Sequence, residues 1–312
     1  MQIQEKQIKA DQKYSKKTYF IETYGCQMNV ADSELVESIL QGIGYFPAKN
    51  IYQAKAIFVN TCAIRDHAEE KVNSQLGRYD LIKKKNPEVI IGVLGCMAQS
   101  LKHDLLENKP YVDIIIGPDS YRKLPEILNR ENINNSIIDT SLSRFEAYND
   151  LFPKRNNGVN AWVSIMRGCD KFCTFCIVPF TRGRERSRDL NGVLLEVQKA
   201  VDDGFSEITL LGQNVNSYKS KNNKFHNLLE EVSKINGLKR IRYTSPHPKD
   251  MSDEVINIMN KYDNICNSVH LPLQAGSNRI LKRMNRTYTK EQFISLAQKI
   301  QNRLPNVGIS TD

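Results

Sequence analysis

No stretch of this 312-residue sequence approaches the roughly 18 consecutive apolar residues that a membrane-spanning helix requires. The opening MQIQEKQIKADQKYSKK is polar and charged and holds no apolar segment of the kind a secretory leader needs. Both absences predict a cytoplasmic protein. Cysteine is scarce and odd in number, seven in all, and without a leader an odd count argues against a disulfide framework. The thiols are then reduced and free for metal binding or catalysis. Acidic excess is also missing: 44 Lys and Arg against 35 Asp and Glu leave a net charge of +9, which suggests a polyanionic partner. No self-similarity of solenoid period runs through the chain, which excludes a repeat architecture.

What is present is length and alternation. With 312 residues and 40% hydrophobic content the chain can build two domains, each with its own core. After a basic tail over 1–17, TYFIETYGC (18–26) predicts a strand, ADSELVESILQGIG (31–44) a helix and AIFVNTC (56–62) a second strand. A long charged helix over 66–85 closes at Asn86-Pro87, then come the strand EVIIGVLGC (88–96), a helix near 100–107 and the strand DIIIG (113–117). Residues 18–128 therefore predict a parallel sheet with helices on both faces. Residues 129–160 are rich in asparagine, lose periodicity and read as a connecting segment.

A second series follows over 161–312. The strands AWVSIM (161–166), EITLLG (207–212), KRIRYTS (239–245), NSVHLPLQ (267–274) and NVGIS (306–310) alternate with helical stretches at 190–203, 225–236, 252–262 and 277–303. Five β/α units in a row predict a whole or partial βα barrel, in which chemistry sits on the loops after the strands' carboxyl ends. The expected class is α/β, a parallel-sheet domain followed by a partial βα barrel.

The cysteines fall into two sets. Cys26, Cys62 and Cys96 each stand at or just past the end of a predicted strand, so a parallel sheet gathers them on one edge. Buried core cysteines are the plainer reading, but three strand ends in succession favour ligands. Cys169, Cys173 and Cys176 lie in the loop after the first barrel strand. Structural zinc sites are closed by four protein ligands, and no fourth cysteine or nearby histidine completes this loop. An iron–sulfur cubane held by three thiolates would keep one iron open to a small molecule.

The loop CDKFCTFC (169–176) resembles the C-x3-C-x2-C signature of the radical S-adenosylmethionine superfamily, whose partial βα barrel begins with such a loop. Taken with TYGCQMNVADSE, NTCAIRDHAEEK, GVLGCMAQ, VPFTRGRERSR, LLGQNVNSY and HLPLQAGSNRILKRMNRTYT, the chain over 18–312 resembles the methylthiotransferases of that superfamily. The resemblance implies an auxiliary [4Fe–4S] cluster on Cys26, Cys62 and Cys96, and a radical [4Fe–4S] cluster on Cys169, Cys173 and Cys176. It implies two S-adenosylmethionine molecules, one giving a methyl group and one cleaved to a 5′-deoxyadenosyl radical, so that a methylthio group joins C2 of an adenine.

YGCQMN, LLGQNVN and TRGRERSR are similar to the branch that acts on N6-isopentenyladenosine at position 37 of the tRNA anticodon arm. Sister branches acting on N6-threonylcarbamoyladenosine in tRNA or on a ribosomal-protein aspartate are the alternatives. A metal-containing RNA-binding protein without a reaction is the alternative from another class. An electron donor and a sulfur source are implied partners. The resemblance also implies a sixth barrel strand and a small β-rich RNA-binding TRAM domain, and no segment of 1–312 reads as either.

Further residues follow from the same resemblance. Phe175 packs on the adenine of S-adenosylmethionine or serves as a loop anchor, and Gly212, Gln213 and Asn214 contact its methionyl end or make a turn. Arg182, Arg184, Arg186 and Arg188 contact RNA phosphates or form a solvated charge run. His247, between two prolines, reads as structural, and Cys266 as packing.

Overall fold

The computed structural model describes residues 17–63, 66–130, 136–155 and 158–312, so the basic tail lies outside the described residues except for Lys17. The chain forms two compact units, Met1–Leu142 and Ser143–Asp312.

The first unit is built on a six-stranded sheet of β1 (Thr18–Tyr24), β2 (Phe46–Pro47), β3 (Ala56–Thr61), β4 (Ile90–Gly95), β5 (Ile114–Ile116) and β6 (Ile137–Asp139). The order is β2-β1-β3-β4-β5-β6 and every pairing is parallel. β3 is buried along its whole length and β4 at all but Ile90, which is why AIFVNT and IIGVLG read as apolar runs rather than alternating strands. Ile57, Val59, Ile91 and Val93 pack with Val72, Leu76 and Tyr79 of α2 (Asp66–Lys85), which follows α1 (Gln27–Gly42) in the chain. The spacing of those α2 residues, four and three, marks one helix face. α3 (Cys96–Asn108) bends at Lys102, and the short α4 (Leu124–Leu128) precedes β6.

Two details differ from the sequence-based expectation. β6 lies within the stretch expected to be a bare connection; three residues, Ile137 to Asp139, are too short to show a period yet they extend the sheet beside β5. Both cysteine-bearing helices begin early: α1 starts at Gln27 with Cys26 as its N-cap, and α3 starts at Cys96 itself.

The second unit carries β7 (Asn160–Ser164), β10 (Glu207–Leu211) and β13 (Arg240–Tyr243) in parallel, with the antiparallel pair β8 (Met166–Arg167) and β9 (Arg186–Ser187) beside them in sequence. A second small pair is β11 (Lys219–Ser220) with β12 (Asn223–Lys224). A parallel bridge from Ile241 to Ile265 continues the series toward β14 (Ser268–His270), which pairs in parallel with β15 (Gly308–Ser310). Five parallel strands thus follow one another in chain order, as a partial βα barrel requires. After the short α5 (Val178–Thr181), the helices are α6 (Leu190–Asp202), α7 (Phe225–Ser233), α8 (Asp253–Lys261), α9 (Asn278–Arg283) and α10 (Lys290–Arg303). Their apolar faces, Val193, Val197, Leu228, Val232, Ile256 and Ile300 among them, share one core with Val163, Ile208, Leu210, Ile241 and Val269 of the strands.

The stretch expected as one helix over 277–303 is two. Asn285 takes φ +54° after α9, and Thr289 restarts the chain as the N-cap of α10, accepting from the Gln292 N–H at 3.3 Å while Gln292 Oε1 accepts from the Thr289 N–H at 2.9 Å. Among the described residues no helix is long and apolar enough to cross a membrane.

Gly92 on β4 pairs with Phe58 on β3, and a Cβ there would sit 2.4 Å from the Phe58 ring. We expect G92A to lower stability by about 1–3 kcal/mol through this overlap. F58L should recover part of that loss in the double variant. Urea unfolding of the wild type, both single variants and the double variant measures it; strictly additive effects would show that the two residues do not meet.

Candidate active site

The carboxyl edge of the first sheet is held together by a buried polar knot. β1, β3 and β4 are neighbours, so Cys26, Cys62 and Cys96 follow three adjacent strand ends. Asn29, in the first turn of α1, accepts from both the backbone N–H and the thiol of Cys26 at 3.3 Å through Oδ1. Its Nδ2 donates to Asn60 Oδ1 at 3.1 Å, and Asn60 Nδ2 donates back to the Asn29 carbonyl at 2.9 Å and to Ser33 Oγ at 3.0 Å. Both asparagines are fully buried. Gly95, just before Cys96, sits at φ +87°, and a Cβ there would lie 2.3 Å from Asn60 Oδ1, so glycine is needed for conformation and for space. One amide pair thus contacts the approach to all three cysteines.

In the second unit, the β8–β9 pair pinches the ends of a long excursion that holds the other three cysteines. Gly168 opens it at φ +74°, where a Cβ would fall 2.1 Å from the Arg184 carbonyl. Cys169 N–H then donates to the Gly183 carbonyl at 3.2 Å, and Cys176 N–H to the Cys173 carbonyl at 3.0 Å. The loop is docked on the residues after α9: Thr174 N–H donates to the Met284 carbonyl at 3.2 Å, its hydroxyl to the Arg283 carbonyl at 3.0 Å, and Asn285 Nδ2 to the Phe172 carbonyl at 2.9 Å. Burial pushes the Cys169 thiol up to about 11 and raises that of Cys176, so loading with metal there displaces protons.

The three thiols line a cavity of ≈ 250 Å³ together with Phe175, Gln213, Asn214, Ser245, His247 and Arg286. Lys171 pairs with Asp250 at 2.7 Å, and Asn214 Nδ2 donates to the same carboxylate at 2.7 Å, fixing one wall. Phe172, Ser245 and Gln274 are held at φ +47°, +57° and +72°. Ser245 and Gln274 line the cavity, and a non-glycine residue in that region of φ carries backbone strain.

Of the expected cofactor contacts, Phe175, Gln213 and Asn214 line the cavity, whereas Gly212 packs against Met166, to which its Cβ would come within 2.6 Å. Cys266 is not among the lining residues, and its N–H donates to the Ile241 carbonyl at 3.0 Å. Most of the arginine run, expected to meet RNA phosphates or solvent, is turned into the fold. Arg182, Arg186 and Arg188 are buried. Arg186 donates to the carbonyls of Ser143, Glu146 and Arg182, while Arg188 is paired with the buried Glu196, which Arg155 also meets. Only Arg184 keeps its guanidinium at the surface, bonded to Asp170 at 2.7 Å. Of the four, Arg186 lies on β9 and Arg188 just after it, while Arg182 ends α5. Asn29, Asn60, Asp250 and Arg286 escaped the sequence reading; a polar residue inside the apolar run AIFVNT was the visible sign for Asn60.

Profiles for two families match the chain, uncharacterized protein family UPF0004 at residues 18–117 and the radical SAM superfamily at residues 163–311. A tRNA-2-methylthio-N(6)-dimethylallyladenosine synthase from Parabacteroides distasonis is 47% identical over 311 residues, covering 98% of this chain and 68% of that protein. The chain belongs to the radical S-adenosylmethionine methylthiotransferase family. Proteins of the same name from Bacteroides thetaiotaomicron and Chloroherpeton thalassium are 48% and 46% identical over 95% and 94% of this chain. The chain spans 66% and 65% of their lengths. In fold, it is similar to two cobalamin-related radical S-adenosylmethionine enzymes, at 13% identity and 95% coverage of this chain. The TM-scores are 0.65 for the methyltransferase TsrM of Kitasatospora setae and 0.67 for OxsB, of which 66% and 49% are covered.

The cavity residues fit an iron–sulfur cluster with S-adenosylmethionine. The donor set at the loop is thiolate only, at three positions, one short of a closed tetrahedral zinc site. Gln213 Oε1 is buried on the cavity wall without a hydrogen-bond partner among the described residues, an acceptor suited to an ammonium or hydroxyl of a ligand.

Two expectations test this framework. Replacing Asn60 by Ala strands the Asn29 amide and should cost about 1–3 kcal/mol in urea unfolding, with faster alkylation of the buried Cys62 in the metal-free chain. Unchanged alkylation would show that the knot does not position the cysteines. His247, whose Nδ1 accepts from the Lys249 N–H, is held neutral by burial and by the Arg286 charge, with its pKa down to about 4 against 6.5 when exposed. The unfolded chain binds that proton first, so stability should be complete above pH 6.5 and fall as pH drops toward 4. In H247N that stretch of the pH profile should flatten, as thermal unfolding would record.

Proposed function

We propose that the chain carries the chemistry of a tRNA methylthiotransferase that adds a methylthio group to C2 of N6-isopentenyladenosine at position 37 of the anticodon arm. The observation that carries the reading is the pairing of two three-cysteine sites, each at the carboxyl ends of parallel strands, in a chain whose relatives carry that enzyme name over nearly its full length.

Two [4Fe–4S] clusters are proposed, one on Cys26, Cys62 and Cys96 and one on Cys169, Cys173 and Cys176. Bound there, they would supply a sulfur that accepts the methyl group and, with S-adenosylmethionine, the reductive chemistry that an unactivated aromatic carbon needs. The chain's own residues do the holding and orienting. The Asn29–Asn60 pair fixes the approach to the first set, and the 283–286 segment fixes the second loop against the barrel. Gln213 offers its carbonyl oxygen to a donor on the ligand, Phe175 covers one side, and Asp250 keeps Lys171 and Asn214 in place. Ser245 and Gln274, both at positive φ, complete the cavity wall.

The two cysteine sets should separate by phenotype. Cys169→Ala, Cys173→Ala and Cys176→Ala are each expected to abolish 5′-deoxyadenosine formation from S-adenosylmethionine, measured by mass spectrometry after anaerobic reconstitution. Cys26→Ala, Cys62→Ala and Cys96→Ala should keep that cleavage and lose methylthio transfer to RNA. Cleavage surviving in the first group would refute the assignment, and a colourless zinc protein would favour RNA binding without reaction. Methylthio transfer to N6-threonylcarbamoyladenosine instead would move the substrate to the sister branch.

A further inference from the structure

The break between α9 and α10 delivers one arginine to the cysteine loop. Arg286 Nη1 lies 3.3 Å from Cys173 Sγ, Nε donates to the Tyr288 hydroxyl at 2.9 Å and Nη2 to the Pro272 carbonyl at 3.3 Å. The Tyr288 hydroxyl is itself 2.9 Å from the Pro272 and Leu273 carbonyls, and the guanidinium carbon lies 5.0 Å from the Tyr288 ring centre. The fork is therefore anchored on two sides, with its remaining edge turned to sulfur.

We propose that Arg286 is a positioning residue for the radical cluster, fixing the Cys173 sulfur by a charge-assisted N–H···S bond and biasing the bound cluster toward its reduced state. This rests on the reading of Cys169, Cys173 and Cys176 as cluster ligands. Hydrogen bonds to ligand sulfurs and nearby net charge are among the terms that set iron–sulfur potentials. A cation donating to a thiolate stabilises the more negative, reduced form most.

The other cation on the cavity wall, Lys171, is bound to Asp250 at 2.7 Å, so its charge is compensated locally. Arg286 contacts a hydroxyl, a carbonyl and a thiol, and meets no carboxylate among the described residues. A planar fork suits this triple duty, and lysine, with one point of charge, does not reproduce it. Asn285 and Met284 anchor the loop backbone from the same turn, which separates the two functions in neighbouring residues: Asn285 holds the Phe172 carbonyl, and Arg286 meets the sulfur.

The test is an anaerobic redox titration of the reconstituted full chain, followed by electron paramagnetic resonance at the signal that changes on adding S-adenosylmethionine. Iron is counted in parallel for wild type, R286Q, R286K and N285A. R286Q is expected to load iron with a more negative midpoint, R286K to shift by less, and N285A to leave the midpoint of its loaded fraction unchanged. A wild-type midpoint in R286Q overturns the proposal, as does an equal shift in N285A, which would assign the effect to loop geometry. Failure of both Arg286 variants to load iron also overturns it, since Arg286 would then act as a fold anchor. A wild-type chain that takes up no iron refutes the cluster reading, and the inference with it.

Discussion

Parallel register is the constraint from which the chemistry of this chain follows. In a parallel sheet each strand must be re-entered from the same end, so the residues just past the carboxyl ends share one edge however far apart they stand in sequence. Cys26, Cys62 and Cys96 are neighbours because β1, β3 and β4 are. The same rule places the loop after β7 beside Gln213 after β10, Ser245 after β13 and Gln274 after β14. Tight turns could not do this, because antiparallel ladders alternate their ends.

Given that geometry, polar groups inside the fold do the fine positioning. The Asn29–Asn60 pair ties the first turn of α1 to the end of β3, and the Asp250–Lys171–Asn214 set ties the cysteine loop to the segments after β10 and β13. Sheltered hydrogen bonds of this kind are costly to leave half-made, so each set behaves as a unit.

Much of this was legible in residue order. The strands of both units were visible because parallel strands are apolar on both faces, and the six cysteines proposed as ligands stood out by position. What escaped was nonlocal. Arg186 and Arg188 alternate with polar residues just as a solvated stretch would, and only the partners Ser143, Glu146 and Glu196 turn them inward. The division of the 277–303 helix has no glycine or proline at its break, since Ile280, Leu281, Met284, Tyr288 and Phe293 keep an apolar rhythm across it. The Arg286 contact joins residues 113 apart, beyond any periodic signal. β6 was hidden by its length and by asparagines around it.

The buried trio of Arg155, Glu196 and Arg188 restricts how this sequence can drift. Two guanidiniums share one carboxylate where water does not reach, and Arg155 and Arg188 also cap the carbonyls of Trp162 and Ser164 at the root of the cysteine loop. Loss of the carboxylate alone leaves like charges facing each other in a poor dielectric, and loss of one arginine leaves a strand end without its donor. Neutral single steps out of this arrangement are closed. A lineage would have to exchange all three for apolar side chains within one genetic background, so divergence should proceed around the trio while it stays in place.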